Sequence, residues 1–144
     1  MAKISLVQAS VIADEALKKG REISCDPLTV VVLDDGGQYK VVKREDGAGL
    51  MRVEIALGKA WGALGMGFAS RELSRRAQEM PVFFGSLAAM SQGRMVPLPG
   101  GVLIREAQGD LLGAVGVSGD TSDRDEECAV HGVRAAGLTA DIGD

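Results

Sequence analysis

The stretch PLPGGVLIREAQGDLLGAVGVSGDTSDRDEE, Pro97 to Glu127, reads as turn, strand, tight connection, buried strand, turn and helix start. Val102 to Glu106 is a short extended run behind Pro99-Gly100-Gly101, and Ala107-Gln108-Gly109-Asp110 connects it to a second arm with Gly109 at the expected positive-φ position. The second arm, Leu111 to Val117, is almost continuously apolar. A strand of that composition is covered on both faces and so lies at the centre of its sheet. Gly113 and Gly116 leave gaps along it where a helix, another backbone or a ligand can come close. After Ser118-Gly119 the chain turns acidic, and Asp123, Asp125, Glu126 and Glu127 fall at the mouth of a new helix, where anions suit the positive end of the dipole.

Outward from this hairpin, the last helix is expected over Asp123 to Ala136. It buries Cys128, Ala129, Val133 and Ala136, ends at Gly137, and leaves a short acidic tail. Upstream, Met95 to Leu98 suggests an edge strand, and Pro81 opens a brief helix through Leu87. Ser70 to Ala77 reads as a short polar helix. The helix from Leu50 to about Met66 has three stripes: Val53, Leu57, Ala60 and Leu64; the glycines Gly58, Gly62 and Gly65; and Arg52, Ala56, Lys59 and Ala63. Glycine lowers helix propensity, so the second stripe implies close packing against a backbone or a subunit. Before it, Leu28 to Leu33 and Gln38 to Lys43 flank the turn Asp34-Asp35-Gly36-Gly37 and form another hairpin. At the start, Ser5 with Gln8 completes a capping-box pattern, and Ala9, Ile12, Ala13, Ala16 and Leu17 make an apolar stripe. Asp14 with Lys18 and Glu15 with Lys19 stand at the i,i+4 spacing of surface ion pairs. Two hairpins flanked by helices give a single α+β domain over residues 1–144, with a mainly antiparallel sheet of about five strands.

Composition narrows the function. Twenty acidic against 16 basic residues give a formal charge of −4 and no basic patch, which argues against nucleic acid as a partner. No apolar run reaches the roughly 18 residues of a membrane span, and no charged-then-apolar leader is visible, so a cytoplasmic protein is expected. Cys25 and Cys128 are then expected as reduced thiols. With 20 glycines and only one Trp, one Tyr and three Phe, the core is one of small aliphatic side chains.

Several groups carry possible chemistry. Pro99-Gly100-Gly101 and Ser118-Gly119-Asp120-Thr121 present backbone N–H groups that can hold an anion, although ordinary turns explain them equally and the acids of the second loop oppose it. Asp120, Asp123, Asp125 and Glu126 offer hard oxygens to a divalent cation, but helix capping is the better account. Cys128 and His131 are one turn apart on a helix. His131 is the only histidine; it suffices as the axial ligand of a haem iron, or it is simply hydrogen-bonded or solvated. Arg44, Arg52 and Lys59 form either a cationic patch for carboxylates or a solvated face. No nucleophile elbow or Cys–His pair with an orienter is present, which disfavours hydrolase chemistry. A carboxylate base such as Asp34, Asp46 or Asp125 beside a Lys or Arg remains open.

Five marks occur in order: LDDGG-x-Y at Leu33 to Tyr39, R-x-D-G-A at Arg44 to Ala48, A-x-x-KA at Ala56 to Ala60, PLPGGVLI at Pro97 to Ile104, and GAVGVSG followed by DEE at Gly113 to Glu127. Together they resemble the GlcG/HbpS-type family, also found as the C-terminal domain of PduO proteins. The resemblance covers nearly the whole chain. It implies a profilin-like α+β fold, homo-oligomeric assembly, and association with haem or corrinoids or with small-molecule catabolic pathways. By position, it gathers Arg44, Lys59, Pro99, Gly100, Gly101 and Asp125 around a shared pocket, to which Asp46 is added. Two readings follow. One is an oligomeric cytoplasmic protein binding haem or a related tetrapyrrole, with His131 on the metal and the cations on the propionates. The other is a cofactor-free isomerase or lyase acting on a small organic acid.

Overall fold

In a computed structural model, which describes residues 3–143, five strands and five helices build two layers of helix around one sheet. The elements are α1 (Leu6–Glu22), β1 (Thr29–Asp34), β2 (Tyr39–Arg44), α2 (Arg52–Met66), α3 (Ser70–Glu79), α4 (Pro81–Met90), β3 (Gly101–Arg105), β4 (Leu111–Ser118), α5 (Ser122–Ala135) and β5 (Thr139–Asp141). The strand order is β2-β1-β4-β3-β5 and every pairing is antiparallel. The α+β class and the five-stranded antiparallel sheet expected from the sequence are both found.

The apolar strand β4 is central, between β1 and β3. Alternation along β1 divides the core. Val30 and Val32 join Ile12, Ala16, Val115, Cys128 and Val133 beneath α1 and α5. Val31 and Leu33 join Ala56, Ala60, Ala63 and Leu103 beneath α2. The capping box closes as read: Ser5 Oγ accepts from the Gln8 N–H at 3.1 Å, and Gln8 Oε1 accepts from the Ser5 N–H at 3.0 Å. Gly137, at φ +77°, ends α5.

Three expectations are corrected. Met95 to Leu98 is not a strand, because α2 takes it: Val96 donates its N–H to Gly58 O at 3.1 Å, and Met95 packs with Leu73 and Phe84. The fifth strand is β5 in the tail, held to β3 by the register Leu103↔Asp141 and by Arg105 Nε to Asp141 Oδ2 at 2.8 Å. The surface pairs of α1 also differ, since the sheet and α5 lie within reach. Asp14 pairs with Lys43, Glu15 faces His131, and Lys19 approaches Glu127.

The glycine stripe of α2 is largely used within the chain. A Cβ on Gly58 would lie 2.5 Å from Val96 Cγ2, and one on Gly62 3.2 Å from Met95 Cγ, whereas Gly65 faces open space. The closest approach is on the sheet, where a Cβ on Gly116 would sit 2.0 Å from Ala56 O. Cys25 and Cys128 are both buried free thiols. Burial, with the neighbouring Cys25 thiol as a further cause, pushes Cys128 up to about 12.

These contacts predict opposite effects of one methyl group. Gly116→Ala is expected to cost about 3 kcal/mol or more, because α2 must lift off the sheet. Gly65→Ala should instead stabilise by roughly 0.5–1 kcal/mol through helix propensity. Urea denaturation of both variants against the parent checks the pair.

Candidate functional site

Lys59 springs from the middle of α2 and is 2% exposed. Its Nζ donates to Val117 O at 3.0 Å and to Asp125 Oδ2 at 3.1 Å. Two features of the sequence make the passage possible. Gly100 (φ +128°) has no side chain to block it, since a Cβ there would lie 2.8 Å from Lys59 Nζ. Gly101 lets β3 press against α2, where a Cβ would stand 2.2 Å from Lys59 O. Pro99 precedes them and lines a surface depression of about 410 Å³ with Arg71 and Arg75. Asp125 lies in the first turn of α5, so the ammonium joins the helix on one face of the sheet to the helix on the other.

The carboxylate is fully engaged. Asp125 Oδ1 accepts the Asp120 N–H at 2.9 Å, and Asp120 Oδ2 accepts the Asp26 N–H at 2.8 Å. The Asp26 N–H, and after it the Thr121 N–H donated to Asp120 Oδ1 at 2.8 Å, hold the Asp120 carboxyl below the usual carboxylate range. Desolvation by burial lowers the Lys59 pKa; Asp125 opposes that shift, and the positive charge of Arg52 adds to it. Lys59 is therefore a buried, paired cation rather than one free to meet a ligand. Arg71 was not legible as part of this region. It clamps the start of α5 from α3, through Glu126 Oε1 at 2.8 Å and Asp123 Oδ1 at 3.1 Å. Nothing in the sequence spacing ties residue 71 to residue 126.

The remaining candidates are spread over other parts of the surface. Arg44 and Asp46 line a depression of about 430 Å³ with Arg21, Pro27 and Glu45. Arg44 Nη1 donates to Ala48 O at 2.8 Å, and Arg52 Nη1 donates to Ser118 Oγ at 3.2 Å. His131 faces outward from α5, away from the buried Cys128, and its Nε2 lies 3.6 Å from Glu15 Oε1. It lines a depression of about 330 Å³ with Lys19, Glu127, Val130, Arg134 and Ile142. Among the described residues no three His, Cys, Asp or Glu side chains converge as a metal cluster. The structure thus brings Lys59, Gly100, Gly101 and Asp125 together, with Pro99 alongside, and leaves Arg44, Asp46 and His131 outside that group.

The family model described as "Haem degrading protein HbpS-like" matches residues 4–134. An uncharacterised 15.0 kDa protein of the dhaT-dhaS intergenic region of Citrobacter freundii is 32% identical over 125 residues, 87% of this chain and 86% of that protein. The corrinoid adenosyltransferase PduO of Citrobacter freundii is 29% identical over 132 residues; these are 92% of this chain, which spans only 38% of the length of that relative. Among solved structures, the PduOC:heme complex superposes with a TM-score of 0.87 at 27% identity, covering 97% of this chain and 99% of the other.

The buried pair should behave as a coupled unit. Asp125→Ala leaves the Lys59 ammonium without its carboxylate and is expected to cost about 3–5 kcal/mol in urea unfolding. The double variant Lys59→Met/Asp125→Leu, which removes both charges, should cost substantially less. Equal losses in the two variants would mean that the charges are not coupled.

Proposed function

The chain belongs to the HbpS-like family, and from that membership we propose that it is an oligomeric cytoplasmic protein that binds haem or a related tetrapyrrole. The observation that carries this reading is the superposition on a haem complex along nearly the whole of both chains. The setting of His131 supports it further. Its depression combines one imidazole, the cation Arg134, Lys19 with the Glu127 carboxylate 3.9 Å from its ammonium, and the aliphatic side chains Val130 and Ile142. That donor set fits an iron ligand, a propionate partner in Arg134 and an apolar edge. Haem bound there supplies an iron centre capable of redox chemistry. His131 would hold the iron, and Glu15 Oε1 stands 3.6 Å from its Nε2. Lys59, Asp125, Gly100 and Gly101 belong in this reading to the frame, since the Lys59 ammonium already has its partners.

The depression is shallow and cannot enclose a macrocycle from one chain, so the reading places a second copy over it. Helix α4 supports self-association. Its sequence PVFFGSLAAM carries no charge, and Val82, Phe83 and Met90 are 84%, 47% and 72% exposed. Exposed apolar side chains on an uncharged helix favour a contact face.

Titration with hemin is expected to give a saturable Soret band, weakened or shifted in His131→Ala. A band indifferent to that substitution would overturn the assignment of the ligand, and non-saturable binding would overturn the tetrapyrrole reading. Val82→Glu combined with Phe83→Glu should reduce the mass measured by light scattering to that of one chain; an unchanged assembly would remove α4 from the interface.

A further inference from the structure

Among the described residues, two buried side-chain oxygens lack a hydrogen-bond partner, Thr29 Oγ1 and Asp35 Oδ1. Thr29 is 0% exposed and closed into the sheet, whereas the Asp35 side chain is 29% exposed and lines a depression of about 200 Å³. One wall of that depression is the turn Asp35, Gly36 and Gly37; the other is Trp61, Leu64 and Gly65 of α2. Three and four residues apart, these α2 positions share one side of the helix. Gly65 leaves the space open, since a Cβ there would meet nothing within 4 Å. Gly37 (φ +80°) lets the turn come close to the indole, where a Cβ would stand 3.5 Å from Trp61 Nε1.

The two aspartates of the turn have different tasks. Asp34 Oδ1 accepts the N–H groups of Gly36 and Gln38, each at 3.0 Å, and Asp34 O accepts that of Gly37, so the turn is shaped by Asp34. Asp35 takes no part in it. The Lys3 ammonium approaches to 3.8 Å from Asp35 Oδ1, which is beyond hydrogen-bond reach, and the lysine side chain is 56% exposed. A loose pair of this kind holds its partners weakly, so the carboxylate keeps its capacity for another cation. The other cation at this end of α2 is already engaged: the Arg94 guanidinium lies 4.5 Å from the centre of the Trp61 ring, and its Nε donates to Ser91 O at 2.9 Å.

We propose that this depression binds a small organic amine, with its ammonium on the Asp35 carboxylate and its apolar body against Trp61 and Leu64. The incoming ammonium reaches the carboxylate from the open side of the depression, competes with that of Lys3, and supplies the charge-assisted hydrogen bond that Lys3 is too distant to make. The indole and the leucine side chain give the rest of the molecule an apolar surface. A volume of about 200 Å³ is smaller than that of most drug-sized pockets, which limits the occupant to a short chain or a single ring. Among the described residues no second carboxylate lines the depression, and a hard metal ion needs several oxygens, so an ammonium is favoured over a metal. The depression lies against α2 and that of His131 against α5, on opposite faces of the sheet, so this site is separate from the tetrapyrrole reading.

Trp61 is the only tryptophan of the chain, so its emission reports on this depression directly. The test is a fluorescence titration of the full chain at neutral pH with cyclohexylamine, set against cyclohexanol and cyclohexanecarboxylate at equal ionic strength. The amine should change the emission saturably, and the other two should not. Asp35→Asn is expected to weaken the affinity by about tenfold or more, and Lys3→Ala to strengthen it by roughly twofold, because the competing ammonium is gone. Gly65→Leu fills the depression and should abolish the saturable change with the helix content intact by circular dichroism. If the leucine variant does not fold, Asp35→Asn, a substitution in a surface turn, still decides the matter. The proposal fails if the amine gives no saturable change, if the alcohol or the carboxylate matches it, or if Asp35→Asn binds as the parent does. It also fails if removing Lys3 weakens binding, or if a folded Gly65→Leu binds undiminished.

Discussion

The ammonium of Lys59 has to cross the end of a β-sheet to reach its carboxylate, and much of the local sequence follows from that passage. A four-carbon stem buried among apolar residues is favourable, but a buried charge is not, unless paired and hydrogen-bonded. Val117 O and Asp125 supply the partners, and Asp125 is fixed in turn by the Asp120 N–H. Gly100 and Gly101 clear the path, which gives a packing reason for the PGG turn that the sequence also allowed as an anion cradle. The outcome is a polar bolt between α2 and the first turn of α5, two helices on opposite faces of the sheet.

Around that bolt the interior is tight because the side chains are small. Ala56, Ala60 and Ala63 let α2 settle onto Val31, Leu33 and Ala114, and Gly116 lets its backbone touch the sheet. On the other face, Gly132 brings α5 equally near α1, where a Cβ would stand 2.4 Å from Ile12 O. Such a core leaves little room for a ligand between the helices and the sheet.

What could be read from the sequence was local. The capping box, both hairpins, the central position of β4 and the glycine that ends α5 depend on residues a few positions apart, and each is present. Contacts that close over long stretches were not legible. Lys59 and Arg52 share a helical stripe and read as equivalent cations, yet one is buried against Asp125 and the other reaches Ser118. Cys128 and His131 share a spacing, yet one turns into the core beside Cys25 and the other to the surface beside Glu15. The strand at Thr139–Asp141 is too short to show alternation, and only its partner β3 makes it a strand. The missing partner of Thr29 has no sequence signal, because a threonine in a strand is ordinary until its neighbours are known.

The sheet topology also orders events in time. Of the four strand pairings, β1–β2 and β3–β4 close over turns of a few residues, whereas β1–β4 must bring Thr29–Asp34 to Leu111–Ser118 across the whole of α2, α3 and α4. Loop-closure entropy makes such non-local pairing the slower event. The seam between the hairpins is also what sets Val117 O against α2, so Lys59 has no dry partner until the seam has formed. A chain emerging from synthesis therefore carries its first hairpin and α2 for some time with that lysine still hydrated, and the charge enters the interior only as the second hairpin docks.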